Sequence, residues 1–189
     1  MFLSLQEVFD IVLMTFALGF IFSRFFRREP SHDYDPLQFY SKQDTIIHQI
    51  MYGALIAAPA VVLHELAHKF VAMAFGATAV LHAPYLMYGI AIALLLLNVP
   101  LIILVGGYVS HSYLLPLPSA LVAVAGPLMN FILWFVFWMC IKYKLVNKRY
   151  WRDLAMMAKL NLFLAGFNML PIPTFDGFAF FQALFQSIL

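Results

Sequence analysis

The chain has 189 residues, of which 64% are hydrophobic and only 11% are charged, and its formal net charge is +2. Its mean hydropathy of +0.89 excludes an ordinary soluble domain and requires several membrane spans. The small, dispersed charge gives no basis for a nucleic-acid partner. The single cysteine, Cys140, lies in an apolar run and cannot form an intramolecular disulfide. We therefore expect one integral-membrane domain over residues 1–189, with its core at about 46–178 and the lipid bilayer around it.

In chain order, the first predicted span covers about residues 8–26 and ends in a cluster of arginines. A polar connector, residues 29–44, separates it from a second span at about 46–75, after which Gly76 fits a helix end. Because the first residues carry acids rather than a basic region, we expect them to begin a span and not a cleaved signal peptide.

Residues 78–118 combine an apolar stretch with helix-breaking residues, so the path of the chain stays open here. Residues 85–97 are apolar enough for another span, whereas Pro100 and the glycines at 106–107 interrupt any helix. Residues 101–109 are rich in Ile, Leu and Val, which favours a strand or a re-entrant hairpin.

The last third of the chain contains two further predicted spans, at about 119–141 and 154–170. A basic loop at 142–152 connects them, and a short final helix covers 178–189. The sequence thus predicts an all-α polytopic membrane protein with about six transmembrane helices and a short strand or re-entrant hairpin near residues 78–118.

One motif, His64-Glu65-Leu66-Ala67-His68, lies inside the second apolar segment. Histidines four residues apart on a helix share one face, about 40° and 6 Å apart, which suits two imidazoles that bind one zinc ion. Glu65 points beside that face and could take a proton from a zinc-bound water. The alternative is a buried histidine pair without chemistry, but ionisable groups at membrane depth are costly and usually functional. The motif therefore predicts a zinc hydrolase with its active site in the bilayer.

A catalytic zinc usually takes three protein ligands, and Asp176 is the best candidate for the third. It alone among the six aspartates is embedded between apolar segments and far from a charged loop. Pro171 and Pro173 would unwind the preceding helix end, and Gly177 would allow close backbone approach. Asp176 would also suit the N-cap of the last helix, but beside the histidine motif the ligand interpretation is favoured. We expect one Zn²⁺ per chain.

Three other ionisable residues receive structural interpretations. Lys69 follows the histidine motif, and we expect it to snorkel or to face the cavity. His82 and His111 lie in the broken region, where lining a loop or cavity is favoured over metal binding.

Three motifs together give the chain a family resemblance. They are H-E-x-x-H at residues 64–68, A-G-P-x-x-N at 125–130 and N-x-x-P-x-x-x-x-D-G at 168–177. In this order within apolar segments, they resemble the site-2 protease family of intramembrane zinc metalloproteases. The resemblance covers roughly residues 60–178.

The resemblance implies a zinc-dependent metalloendopeptidase in which His64, His68 and Asp176 bind the metal and Glu65 is the general base. It also implies that Asn168 hydrogen-bonds near the substrate carbonyl or its oxyanion. Asn168 could equally cap broken backbone, so both roles stay open. No other cofactor is implied.

The A-G-P-x-x-N motif and the departures from the family pattern bear on packing and regulation. For Asn130 we expect packing or hydrogen bonding between spans, and for Gly126 a close helix contact. Phe175 stands where the family commonly has Leu, and Phe178 follows Gly177 where a second Gly is common, but neither change touches a ligand. The 189 residues leave no room for a PDZ-like or nucleotide-binding regulatory domain, which puts the mode of regulation in doubt.

The substrates that the resemblance implies are membrane-anchored proteins, cleaved within or near their transmembrane segments by a multi-pass protein of the cell membrane. A substrate helix makes its backbone hydrogen bonds internally, so it must unwind before cleavage. A strand near residues 101–109 or 78–82 could hold the extended peptide by edge pairing. The family places zinc nearer the cytosol, whereas the basic clusters at 24–28 and 142–152 would then violate the positive-inside rule, so the orientation stays open.

Three other function classes fit less well. A membrane di-iron enzyme would need several histidine boxes, and six scattered histidines provide one. Other membrane H-E-x-x-H proteases typically use a glutamate as third ligand, and no glutamate follows Glu65. A catalytically inactive membrane scaffold that binds transmembrane helices is the remaining alternative, and a Glu65→Gln variant would separate it from a protease.

Overall fold

The computed structural model describes residues 2–26, 46–99 and 106–188, which are mostly helical. The predicted connector at 29–44 lies outside these residues, as do positions 101–105 of the predicted strand. The helices are α1 (Leu5–Phe22), α2 (Ile46–Ala74), α3 (Tyr85–Leu96), α4 (Pro116–Lys142), α5 (Trp151–Asn168) and α6 (Asp176–Ile188). The strands are β1 (Ala79–His82) and β2 (Tyr108–His111), and a short 3₁₀ turn, Lys148–Tyr150, precedes α5.

Within the described ranges, three helices are long and apolar enough to cross a membrane: α1, α2 and α4. These three helices make the chain a membrane protein, whereas six crossings remain a prediction. At 12 and 13 residues, α3 and α6 are only about 18–20 Å long, against a hydrocarbon core of about 30 Å. Helix α5 is as long as α1, but it carries Arg152, Asp153 and Lys159 and is correspondingly less apolar.

Glycines allow a close contact between α1 and α2. A Cβ atom added to Gly53 would lie 2.6 Å from the carbonyl oxygen of Gly19, so the two backbones touch here. At the start of α1, Ser4 and Glu7 form a reciprocal capping box that fixes where this helix begins. The main core lies between α1, α2 and the sheet and includes the fully buried Met14 and Leu81.

The two strands form an antiparallel sheet beside α1 and α2, in the register Ala79↔His111 to His82↔Tyr108. This sheet confirms strand structure within residues 78–118, but β2 begins at residue 108, near the end of the stretch predicted at 101–109. Helix α4 packs against α2, α5 and α6.

Candidate metal centre

The second half of α2 presents the two predicted histidine ligands to one point. The rings of His64 and His68 have centroids 4.8 Å apart, and their Nε2 atoms lie 3.1 Å from one another. Both side chains are buried. The structure thus brings the two imidazoles together as the helical spacing predicts.

The first residue of α6, Asp176, completes the group. Its Oδ2 atom lies 3.0 Å from Nε2 of His64, and its Oδ1 atom lies 3.4 Å from Nε2 of His68. One ligand atom from each of the three residues lies within 4.8 Å of the others. Asp176 is thus the first residue inside the last helix rather than its N-cap, and its carboxylate is directed at the imidazoles.

The turn before α6 explains how this carboxylate reaches α2. Thr174 adopts a left-handed backbone conformation with φ of 83°. A Cβ atom at Gly177 would lie 2.3 Å from the carbonyl oxygen of Met169, so only glycine allows α6 to start this close to the end of α5. This contact confirms the predicted close backbone approach at Gly177.

Two hydrogen bonds from α4 orient the imidazoles. Nδ1 of His64 lies 2.9 Å from Oδ1 of Asn130, and Nδ1 of His68 lies 2.7 Å from the carbonyl oxygen of Val122. Both oxygens can only accept, so each Nδ1–H donates, and each Nε2 faces Asp176 and can bind a metal when it carries no proton. The hydrogen bond between spans predicted for Asn130 is confirmed, but the sequence did not indicate that its partner is one of the two predicted ligand histidines.

Gly126 of α4 leaves the space that a metal ion needs. A Cβ atom at this position would lie 2.3 Å from Nε2 of His68 and 2.5 Å from Nε2 of His64. Zinc binds imidazole nitrogen at about 2.0–2.1 Å, and any side chain at Gly126 would crowd the two nitrogens that have to reach it. Two imidazoles and one carboxylate are also a donor set of catalytic zinc sites. The residues present therefore fit zinc.

The charge of the Asp176 carboxylate suits this role. Burial alone would raise the pKa of Asp176, but hydrogen bonds with His64 and His68 outweigh burial and lower the pKa to about 2. The carboxylate is accordingly ionised at neutral pH, which is the form that a metal ligand requires.

Comparison with known proteins agrees with this geometry. Over 176 residues the chain is 35% identical to a protein of Methanocaldococcus jannaschii named putative zinc metalloprotease, and the match covers 92% of this chain and 82% of that relative. The chain belongs to this zinc metalloprotease family. No protein-family model matches the chain. No solved structure matches it either.

In this metalloprotease, the predicted base Glu65 lies between the metal ligands and a pair of glycines. Its side chain is buried. Cβ atoms added to Gly106 and Gly107 would lie 3.3 Å from its Oε1 atom and 3.0 Å from its Cγ atom. The sequence predicted these glycines only as helix breakers, whereas the structure shows that they make room for Glu65.

A cavity of about 510 Å³ opens beside the metal centre and connects the remaining predicted residues. Glu65 and the three metal ligands line it, as does Asn168, the last residue of α5. Tyr108, Val109 and His111 of β2 form another wall, which confirms the predicted cavity-lining role of His111. A cavity this large, with several polar groups, can hold water and a stretch of peptide.

Proposed function

We propose that this metalloprotease is an intramembrane zinc endopeptidase of the site-2 protease type, acting on membrane-anchored proteins within or near their transmembrane segments. The observation that carries the proposal is a metal-binding group built on a helix of membrane-spanning length. His64 and His68 belong to α2, which is a candidate span, and Asp176 is brought to them from α6.

The length of α2 supports a site below the membrane surface. Its 29 residues make it about 43 Å long, roughly 13 Å longer than the hydrocarbon core. His64 lies ten residues before the end of this helix, which is about 15 Å. Even if the whole excess length projects beyond that end, His64 of an upright α2 stays within the hydrocarbon.

Each residue of the site has a role in peptide hydrolysis. His64, His68 and Asp176 would hold zinc, which when bound lowers the pKa of a coordinated water toward about 7 and polarises a carbonyl group. Glu65 accepts a proton from the attacking water and passes it to the leaving amine. Asn168 lines the same cavity, and its amide donates a hydrogen bond to the oxyanion of the substrate.

The sheet supports an extended substrate. A peptide bond inside a helix is shielded by its own hydrogen bonds, so the substrate must unwind before it reaches the site. Strand β2 lines the cavity beside Glu65, while β1 pairs with β2 and lies against α1 and α2. An unwound segment would therefore lie along β2, where backbone groups can pair with it.

The deciding experiment measures zinc content together with cleavage of a transmembrane peptide in proteoliposomes, with product masses to locate the cut. We expect wild type to hold about one zinc and cleave, Glu65→Gln to hold zinc without cleaving, and Asp176→Asn to lose zinc. Asp153→Asn is the matched control, because Asp153 bonds to Tyr52 and does not line the cavity.

Two results would contradict the proposal. Cleavage by Glu65→Gln would remove Glu65 from the mechanism, and full zinc and activity in Asp176→Asn would remove the third ligand. Should wild type hold zinc and bind the peptide without ever cleaving it, the protein would be a scaffold for transmembrane helices.

A further inference from the structure

A second cavity, of about 480 Å³, lies between the middle of α1 and the middle of α3. Leu13, Phe16 and Phe20 of α1 form one wall, and Gly89 and Ile92 belong to the other. None of the described side chains that line it is charged. A Cβ atom at Gly89 would meet no atom of the described residues within 4 Å, so the missing side chain widens the gap. We call this cavity the α1–α3 slot.

Polar contacts lie beyond the slot in both directions along α1. At one end the hydroxyl group of Tyr85 donates to Asp10, and at the other Nη1 of Arg24 donates to Oδ1 of Asn98 at 2.7 Å. The helical turn of α1 continues past its end, because the amide of Phe26 bonds the carbonyl oxygen of Phe22 at 2.9 Å. The 14 residues from Asp10 to Arg24 thus span about 21 Å, and the α1 residues that line the slot, Leu13 to Phe20, take up about the middle half of that length.

The lining of the slot indicates what can occupy it. Its walls are aliphatic and aromatic side chains of α1, α2 and α3, so they suit an apolar occupant. A single hydrocarbon chain is narrow enough to fit, and the apolar walls suit it.

The charge beside the slot indicates which lipid headgroup the bound acyl chain carries. Arg24 lies four residues after Phe20 on the same face of α1, beyond the end of the slot, and it is exposed. A guanidinium group has five N–H donors, so the bond to Asn98 leaves donors for a phosphate group.

The same end of the molecule is basic. Gly19 packs against Ile50 near the start of α2, and Tyr52 donates to Asp153 at the start of α5, at 2.6 Å. The basic residues of 142–152 therefore lie at the same end of the helices as Arg24. Clusters of this kind attract anionic lipid headgroups. We propose that the α1–α3 slot binds one acyl chain of an anionic phospholipid, whose phosphate group lies on Arg24.

Lipid in this slot would also support the catalytic residue, a consequence that rests on the proposed function. Tyr88, which lines the slot, donates to the carbonyl oxygen of Gly106 at 3.3 Å, and Gly106 lies against Glu65. Helix α3 packs mainly on α1, so a bound acyl chain fills space between these two helices. Occupancy of the slot thus stabilises the segment beside Glu65.

The test is native mass spectrometry of delipidated protein titrated with phosphatidylglycerol or phosphatidylcholine. We expect wild type to bind phosphatidylglycerol more tightly. Arg24→Gln should remove about fivefold of that preference, the factor for one basic residue near an anionic surface. Gly89→Leu fills the slot and should abolish tight binding of both lipids. Gly166→Leu is the matched control, because a Cβ atom at Gly166 also meets nothing within 4 Å.

Equal binding of both lipids by wild type, or unchanged binding by Gly89→Leu, would overturn the lipid site. Cross-linking of a substrate helix from position 89 would overturn it in favour of a docking site for substrates. These binding and cross-linking measurements do not depend on catalysis, so their outcome is independent of whether the proposed protease function is correct. In a cleavage assay, phosphatidylglycerol should raise kcat in wild type but not in Gly89→Leu, with equal zinc content. Lipid binding without any change in kcat would overturn the coupling through Tyr88.

Discussion

His68 and Lys69 are neighbours on α2, and both are buried, yet they belong to two clusters of different kinds. His68 faces α4 and α6, where it lines the cavity together with Asp176. Lys69 faces α1 and β1, where its ammonium group is bonded to Glu7. In one cluster the polar atoms are all bonded within the protein, and in the other they face a free space, although neighbouring residues of one helix contribute to both.

The Glu7–Lys69 cluster is closed. Oε1 of Glu7 accepts both from Lys69 and from the backbone amide of Leu81, the latter at 2.9 Å. Its Oε2 atom accepts from the amide of Ser4 at 2.8 Å. Neither charged residue lines the cavity, and each is at most 2% exposed. This cluster joins α1, α2 and β1, and its bonds are made within the protein.

The metal-binding cluster is open. Its Nε2 and carboxylate atoms converge on one point, the space at Gly126 is left free, and the outer nitrogens of both rings are bonded to α4. The difference teaches that burial of charged groups does not by itself indicate chemistry. Chemistry is indicated where ligand atoms face an open space while the other nitrogens of the same rings are hydrogen-bonded to the protein.

The largest expected effect comes from a substitution that fills the open space at Gly126. Gly126→Ala puts a Cβ atom 2.3 Å from Nε2 of His68, so both imidazoles must move. Because loss of an outer contact alone costs about 10–100-fold in metal affinity, we expect more than about 100-fold weaker zinc binding and no detectable cleavage. Gly166→Ala is the control, since its Cβ atom meets nothing within 4 Å. Full zinc occupancy in Gly126→Ala would show that the metal binds elsewhere.

Disruption of the Glu7–Lys69 cluster should lower the stability of the protein rather than its zinc binding. Lys69→Met leaves the Glu7 carboxylate buried without its partner, which should lower the free energy of unfolding by about 3–5 kcal/mol. The measurement is denaturant unfolding in micelles, combined with zinc content of the folded fraction, which should not change. Lys159→Met removes an exposed lysine from α5 and provides the control.

The double variant Lys69→Met/Glu7→Gln separates charge from hydrogen bonding. A glutamine can still accept from the amide of Leu81 while the buried charge is gone, so most of the lost stability should return. Zinc loss from folded Lys69→Met protein would contradict the division into two independent clusters.

An intermediate effect is expected behind the metal ligands. Asn130→Ala removes the acceptor for Nδ1 of His64 and should weaken zinc binding by about 10–100-fold, measured by competition with a chelator. Cleavage should recover when zinc is saturating. Asn161→Ala is the matched control, because Asn161 is equally buried but donates to Met157 of its own helix. Equal zinc affinities in the two variants would reduce Asn130 to a packing residue.

The grouping of the three metal-ligand candidates could be predicted because it depends on short sequence patterns. His64 and His68 share a face through helix geometry alone, and Asp176 is the one aspartate embedded between apolar segments. The close approach at Gly177 followed from the same stretch of sequence. Gly126 and Asn130 were recognised in a motif, but their contacts depend on how α4 lies against α2, which no local pattern specifies.

The closed cluster could not be predicted, and the expectation for Lys69 was wrong. It neither snorkels nor faces the cavity, because the close packing of Gly19 on α2 aligns α1 so that Glu7 lies beside it. This alignment is a tertiary property. The span predicted at 85–97 was right as a helix, but α3 is too short to cross a bilayer upright.

The smallest expected effect concerns the hydrogen bond that connects Tyr88, in the core, to the segment beside Glu65. Tyr88→Phe removes only the hydrogen bond to Gly106, at 3.3 Å, and leaves the buried ring in place. A hydrogen bond of this kind contributes about 0.5–1.5 kcal/mol, so kcat should fall by about 2–10-fold, with zinc content and KM unchanged. Tyr113→Phe, at an exposed position, should have no effect. A change in zinc content would mean that Tyr88 acts on the ligands, whereas a change in kcat alone would show that it positions the segment beside Glu65.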